Sequence, residues 1–282
     1  MNDAEYEVVI VRYGTRSGHR GEVYLNYPIY GEPDAPIGMD YYVWVIRNEH
    51  RTVLVDTGFS PLGAERRQRT FVRAIPEVYA ALGIDTGAEQ TLVVTHAHYD
   101  HIGNLALFPR AQVHISGVEL DFWLSPMGER KQFSHSTEPD EIAALRTALD
   151  EGRVTRVGEG DLIAPGIELL EIGGHTPGQL AVKVATDEGT VLLASDAIHY
   201  YEEYEADLPF AFVADLPAMY AGFDRIRGLI ERGDVDHLVS GHDPATLQRF
   251  TPVTDGPLAG IAATIGQAPQ AHHDEEAEQS ND

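Results

Sequence analysis

The sequence predicts an α/β sandwich, two β-sheets facing each other with helices on the outside. Three observations carry that prediction. Apolar, strand-like runs alternate with helix-like segments through both halves of the 282 residues; each half ends its strands in His or Asp; and no internal repeat or Pro-, Gly- or Ser-rich linker divides the chain. Two layers that bury one face against each other and gather their polar strand ends along one edge satisfy all three. Residues 1–267 therefore read as a single domain, long enough for a substantial core. Residues 268–282, acidic, polar and without periodicity, read as a disordered tail.

Taken in order, Glu5 to Tyr13 alternates and stops at Gly14, and Tyr41–Ile46 and Thr52–Val55 flank the polar turn Asn48-Glu49-His50-Arg51. Three early strands follow, the last two a hairpin. Thr15 to Asp40, rich in Gly and Pro, reads as a long loop and a candidate pocket wall. Phe71 to Leu82 has helical spacing, stops at Gly83 and leads into a strand at Thr91–Val94. Gln112–Ile115 is a further strand, and Asp140–Leu149 a helix capped by Thr137 or Asp140 and closed by Gly152. Later strands fall at Ile167–Ile172, Leu180–Ala185, Thr190–Ala194 and His237–Ser240. Asp215-Leu216-Pro217 opens a helix that sets Met219, Phe223, Ile226 and Ile230 on one core-facing stripe and ends at Gly233.

Composition narrows the function. The 45 acidic against 20 basic residues give a formal charge of −25. Polyanion binding draws most of its affinity from Lys and Arg, so no nucleic-acid partner is expected. No stretch approaches the roughly 18 consecutive apolar residues of a membrane span. Met1-Asn2-Asp3-Ala4-Glu5 also lacks the basic and apolar parts of an export signal. A cytoplasmic protein with no membrane partner is expected. With no Cys, disulfides, a thiolate nucleophile and thiolate metal ligands are excluded.

Directly behind Thr91–Val94 stands His96-Ala97-His98-Tyr99-Asp100-His101, three imidazoles and a carboxylate on one turn leaving a buried strand. These ligands suit zinc and its borderline neighbours, so the turn reads as half of a two-metal site. With 13 His in 282 residues, such a pattern arises by chance in roughly one chain in several hundred. Here it also begins where a strand ends. Three more residues sit at comparable strand ends: His175 in Gly173-Gly174-His175-Thr176-Pro177-Gly178, Asp196 after Val191–Ser195, and His242 after His237–Gly241. Of the other histidines, His19, His50, His114 and His237 read as surface or strand residues, and His272 and His273 as part of the tail.

With these motifs in this order, and Val53-Leu54-Val55-Asp56-Thr57-Gly58 upstream, the chain resembles the metallo-β-lactamase superfamily from about Tyr42 to Asp243. The resemblance implies an αβ/βα sandwich of two mixed sheets and two divalent metal ions. Zinc is expected, although such ligands also accept manganese, iron or cobalt. Carried over, the family pattern gives His96, His98 and His175 to one ion and Asp100, His101 and His242 to the other, with Asp196 bridging. Asp56 either orients a ligand imidazole or only closes the turn before Gly58. Two ions roughly 3.5 to 4 Å apart would share a hydroxide as nucleophile, with Asp100 placed to move a proton to the leaving oxygen.

The likeness is greatest to the N-acyl-homoserine lactonase branch, which shares the chain length, the bridging Asp and a closing Ser-Gly-His-Asp like Ser240-Gly241-His242-Asp243. It implies opening of a lactone ring in a small-molecule substrate, with a homodimer as the assembly common among similar lactonases. One position departs from the pattern. Such lactonases carry a Tyr three residues after the bridging Asp, where its hydroxyl helps stabilise the oxyanion; here that position is His199. An imidazole donates the same hydrogen bond, so His199 is the catalytic candidate, with Tyr200 and Tyr201 as substitutes. Tyr24, Tyr27, Tyr30, Trp123 and Phe133 are candidates for an aromatic pocket wall, and His135 for facing the pocket.

The alternative is a thioesterase resembling hydroxyacylglutathione hydrolase, which shares all seven ligands, or a hydrolase of another small cyclic ester or amide. That thioesterase type is longer, with a C-terminal helical domain carrying basic groups, whereas Ala268 to Asp282 holds no Lys or Arg. Zinc β-lactamases generally use a Cys at the second metal, and RNA-processing relatives would need a basic surface. A non-catalytic metal-binding module would be expected to have lost ligands, and all seven are present.

Overall fold

The computed structural model describes residues 3–267, and the acidic tail at 268–282 lies outside them. In chain order the strands are β1 (Glu7–His19), β2 (Pro36–Arg47), β3 (Thr52–Val55), β4 (Thr70–Phe71), β5 (Thr91–Val94), β6 (Gln112–Ser116), β7 (Val154–Val157), β8 (Leu162–Ala164), β9 (Ile167–Glu171), β10 (Leu180–Thr186), β11 (Gly189–Ser195), β12 (His237–Ser240), β13 (Thr251–Pro252) and β14 (Ala262–Ile265). A nine-stranded sheet runs β13-β14-β1-β2-β3-β5-β6-β7, with β4 beside β1, and a five-stranded sheet runs β12-β11-β10-β9-β8. Both are mixed: β3, β5, β6 and β7 are parallel neighbours, as are β11 and β12, while the remaining pairs are antiparallel.

The period-2 geometry of the strands divides the core into two layers. Val8 and Ile10 of β1, Trp44 of β2, Val53 and Val55 of β3 and Val93 of β5 meet Leu169, Val182, Val184, Val191 and Leu193 of the smaller sheet. Their sequence neighbours Val9, Val11, Val43, Val45, Leu54, Leu92 and Val94 point the other way, into the second cluster with Ile75, Val78, Tyr79 and Leu145. Those four stand on the helices Ile75–Ala81 and Pro139–Asp150. Strands covered on both faces read as continuous apolar runs, which is why Thr91–Val94 and Val191–Ala194 were visible in the sequence.

Several boundaries differ from expectation, each for a local reason. Gly14 does not end β1; the register with β2 shifts between Arg12 and Gly14, a bulge after which pairing continues to His19 opposite Pro36. A Cβ at Gly14 would stand 2.5 Å from the Phe59 ring, so glycine here admits a close neighbour and is not a stop. The expected loop from Thr15 to Asp40 is therefore largely a long hairpin arm, and between His19 and Pro36 the chain forms the short helical turns Arg20–Val23 and Tyr27–Tyr30. Phe71 belongs to β4, and the helix begins at Ile75. The helix at Pro139 has Glu138 at its N-cap without a side-chain cap, because the Glu138 carboxylate is taken by Arg66 and Arg67. On the helix Leu216–Glu231 the Asp215 carboxylate caps Ala218 N–H at 3.0 Å; Met219, Phe223 and Ile226 are buried, but Ile230 is 37% exposed and lies outside the core.

Sequence reading missed the helix Gly117–Trp123, although Ser116 with Glu119 three residues on is the spacing of a helix start. Ser116 Oγ accepts from Val118 N–H at 3.1 Å. The Glu119 side chain does not close the capping box, since it reaches into the protein instead. Gly178 packs on this helix start, where an added Cβ would stand 2.3 Å from the Glu119 nitrogen. Gly178→Ala is accordingly expected to cost about 1 to 3 kcal/mol by overpacking against backbone that cannot yield. Urea denaturation with an unchanged midpoint would contradict this packing.

Candidate metal centre

Four chain segments deliver the predicted residues to one edge of the sandwich. The turn after β5 supplies His96 and His98 and starts the short helix Tyr99–Ile102, which carries Asp100 and His101. His175 follows β9, Asp196 follows β11 and His242 follows β12. Two residues next to the site, Asp56 at φ 63° and Ser195 at φ 47°, adopt the left-handed backbone region that non-glycine residues rarely occupy. Such conformations persist where surrounding bonds hold them, and both strand exits are held. Thr95 Oγ1 lies 2.9 Å from Ser195 Oγ, and Thr95 C=O accepts from Leu180 N–H at 2.9 Å, tying the two sheets together behind the imidazoles.

Four overlapping groups have donor atoms within 4.8 Å of one another: His96, His98 and His175; Asp100, His101 and His242; His96, His101 and Asp196; and His175, Asp196 and His199. The first two are the two predicted ligand sets. Asp196 stands between them, its carboxylate facing both. Oδ2 lies 3.7 Å from His96 Nε2 and 3.4 Å from His175 Nε2, Oδ1 lies 3.3 Å from His101 Nε2, and His242 Nε2 is 3.1 Å from Oδ1 and 3.2 Å from Oδ2. Asp100 faces the second group, with Oδ2 3.7 Å from His242 Nε2.

The donors fit metal ions. His96 Nε2, His101 Nε2 and Asp196 Oδ1 are buried and make no hydrogen bond, a costly state for polar atoms unless something else satisfies them. Burial, and then the neighbouring imidazole charge of His101, hold His96 well below the ordinary histidine range; burial and His175 do the same for His98, and burial and His199 for His175. Neutral imidazole is the metal-binding form. His101 is raised instead: burial opposes its charge, but Asp196, Asp56 and Asp100 overcome it.

A second layer fixes the ligands. His175 Nδ1 lies 2.8 Å from the Phe212 carbonyl, and His242 Nδ1 lies 2.8 Å from the Asp40 carbonyl. His101 Nδ1 lies 2.7 Å from Asp56 Oδ2, and Asp56 also accepts from Thr95 N–H at 2.8 Å and Thr95 Oγ1–H at 2.7 Å. Asp56 thus orients a candidate ligand as well as closing its turn. Each Nδ1 contact leaves Nε2 to face the centre, the arrangement by which outer partners set a ligand ring's orientation and tautomer.

Glu119, absent from the sequence-based candidates, joins the two ligand loops. Its carboxylate is fully buried and accepts from Ala97 N–H at 3.0 Å, Gly178 N–H at 2.9 Å and the Trp123 indole at 2.6 Å. The Trp123 ring stands edge-on to His98 at 5.5 Å, so Trp123 supports a candidate ligand and does not line the pocket. Glu203 plays the corresponding part for His199. It is buried and lies 3.2 Å from both the backbone nitrogen and Nδ1 of His199. Burial disfavours charge on His199, but Glu203 and Asp196 push it up to about 9. His199 Nε2 is 3.2 Å from Asp196 Oδ2, and its ring stacks on Phe210 at 3.7 Å. Tyr200 and Tyr201 do not reach in; their hydroxyls donate to the carbonyls of Gly38 and Leu238.

A cleft of about 180 Å³ opens over this centre. Its aromatic wall is Tyr41, Tyr99, Phe210 and Phe212, not the expected Tyr24, Tyr27, Tyr30 or Phe133. Tyr24 and Tyr27 instead stack on each other and pack with Arg20 at the hairpin base. His135 does line the cleft, its ring 4.8 Å from Phe212.

Residues 38–247 match the family model of the metallo-beta-lactamase superfamily. The chain belongs to this superfamily. Among its relatives in the superfamily is an N-acyl homoserine lactonase from a Bacillus species, 26% identical over 61% of this chain and 70% of that protein. Another is an acyl-coenzyme A thioesterase from Homo sapiens, 25% identical over 71% of this chain and 72% of that protein. A solved N-acyl homoserine lactone hydrolase, with the product N-hexanoyl-L-homoserine at its catalytic metal centre, superposes with a TM-score of 0.72 at 18% identity, covering 90% of this chain and 99% of that one. The metallo-β-lactamase fold is shared, and the mixed sheets expected from the sequence are those of the superfamily.

Proposed function

We propose that the chain is a dinuclear metal-dependent hydrolase that opens a lactone ring, of an N-acyl-homoserine lactone or a related cyclic ester. The observation that supports it most is the position of Asp196, whose carboxylate lies within 3.7 Å of ring nitrogens from both imidazole groups. In this reading His96, His98 and His175 hold one ion, Asp100, His101 and His242 the other, Asp196 both, and the ions are zinc. Bound there, the two ions would supply an activated water and an electrophile for the substrate carbonyl.

The chain's own residues do the rest. Asp100, on the cleft side of the second group, carries a proton from the attacking group to the leaving ring oxygen. His199, charged through Glu203 and lining the cleft, donates Nε2–H to the oxygen on which negative charge develops. Phe210 stacks on that ring and excludes water from it. Replacing His199 by Phe is expected to lower kcat by about 100-fold, the scale of one lost oxyanion donor, with metal content unchanged. A loss of bound metal on that substitution would make His199 a ligand, not a donor.

Relatedness to the acyl-coenzyme A thioesterase supports a second reading, thioester hydrolysis at the same centre. Proton release separates the two across a panel of acyl-homoserine lactones of several chain lengths, an aromatic lactone, an acyl thioester and a β-lactam. Lactone opening at the highest kcat/KM is expected. Thioester turnover without lactone turnover would overturn the first reading. Among the described residues no helix is long and apolar enough to cross a membrane.

A further inference from the structure

The cleft over the candidate metal centre carries three guanidinium groups, Arg16, Arg67 and Arg69, in a chain whose formal charge is −25. Among the described residues the only carboxylates lining it are Asp100 and Asp196, both within the imidazole cluster. Two of the three arginines are committed elsewhere. Arg67 binds the buried Glu138 and the carbonyls of His135 and Thr137, and Arg16 pairs with the exposed Glu22 at 3.1 Å.

Arg69 differs. Its Nε donates to the Tyr99 hydroxyl at 3.0 Å and its Nη1 to the Arg67 carbonyl, and among the described residues it enters no ion pair and Nη2 makes no hydrogen bond. The Asp100 charge acts on Arg69 without pairing with it directly, and the planar fork of this half-buried guanidinium matches a carboxylate. The position is also close to the chemistry: Tyr99 Oη lies 3.4 Å from Tyr41 Oη, and the Tyr41 ring stands 5.0 Å from that of His242. A cation two side chains from a candidate metal ligand can be reached by the same small molecule that presents its ester there.

We infer that the substrate carries a carboxylate which pairs with Arg69, its apolar body lying against Tyr41, Tyr99 and Phe210. This rests on the ester-hydrolase reading of the same centre. It narrows the substrate class from neutral acyl lactones to acidic ones, and gives the unpaired guanidinium of Arg69 a partner of opposite charge.

A matched pair tests it: a homoserine lactone with a hexanoyl side chain, and one with an adipoyl side chain of equal length that ends in a carboxylate. The ratio of kcat/KM, adipoyl over hexanoyl, is expected at about 10 to 100 in the unaltered protein, the scale of one charge-assisted pair, and to fall as salt screens it. Arg69→Met should bring the ratio toward one, and Arg69→Lys should keep part of it. A ratio of one or less in the unaltered protein, or a ratio that Arg69→Met leaves in place, overturns the inference. Should neither lactone be opened, calorimetric binding of the same pair to the metal-loaded protein decides. Tighter adipoyl binding that salt weakens and Arg69→Lys partly keeps sustains the acidic-substrate inference while the lactone reading fails, and equal binding overturns it.

Discussion

Asp196→Asn is expected to lower kcat/KM by more than about 100-fold and to reduce bound metal from two ions to one or none. Removing an outer-layer partner of a metal ligand typically costs about 10 to 100-fold, and Asp196 stands inside that layer. Its carboxylate faces both imidazole sets, and asparagine would replace one oxygen with an NH2 that cannot ligate. The charge matters as much as the shape. Burial works against ionisation of Asp196, but His242, His101, His199 and His96 hold it well below the usual carboxylate range. Without it, His101 loses the carboxylate 3.3 Å from its Nε2. Metal analysis by atomic absorption alongside kinetics checks this. Two bound ions and full turnover in Asp196→Asn would remove the carboxylate from the mechanism.

Asp56→Ala is expected to combine a stability loss with selective loss of the second ion. Asp56 is fully buried and serves His101 Nδ1, Thr95 N–H and Thr95 Oγ1, so its removal strands three buried groups. Breaking a buried charge pair from one side costs about 3 to 5 kcal/mol. The freed His101 ring would then hold metal about 10 to 100-fold more weakly, while His96, His98 and His175 keep theirs. Thermal unfolding with and without added zinc separates the two effects. An unchanged midpoint together with two tightly held ions would show that Asp56 only closes its turn.

How much of this was legible in the sequence follows from where each signal resides. All seven candidate ligands stood at the ends of apolar runs, and strand ends are local features: Thr91–Val94 announces His96, and Val191–Ser195 announces Asp196. Their convergence at one point came from the resemblance, since no spacing in the chain says that residues 100 and 242 meet. Glu119 and Glu203 were missed for a related reason. Each is an ordinary acidic residue of a short helix, and only the packing of Gly178 on one helix and of His199 on the other turns them into supports. The cleft wall was misassigned because aromatic residues crowd the hairpin base around Arg20, whereas Phe210 and Phe212 lie in a short irregular segment with no pattern to mark it. Gly14 misled as a strand end because a bulge and a stop look alike until the partner strand is known.

The two-ion centre is tested most directly by counting metal. Chelator-treated protein titrated with zinc, with ions per chain and lactone turnover followed together, should bind two equivalents and regain turnover only as the second is filled. Full turnover in the metal-free chain, or saturation of both binding and activity at one equivalent, would contradict the account.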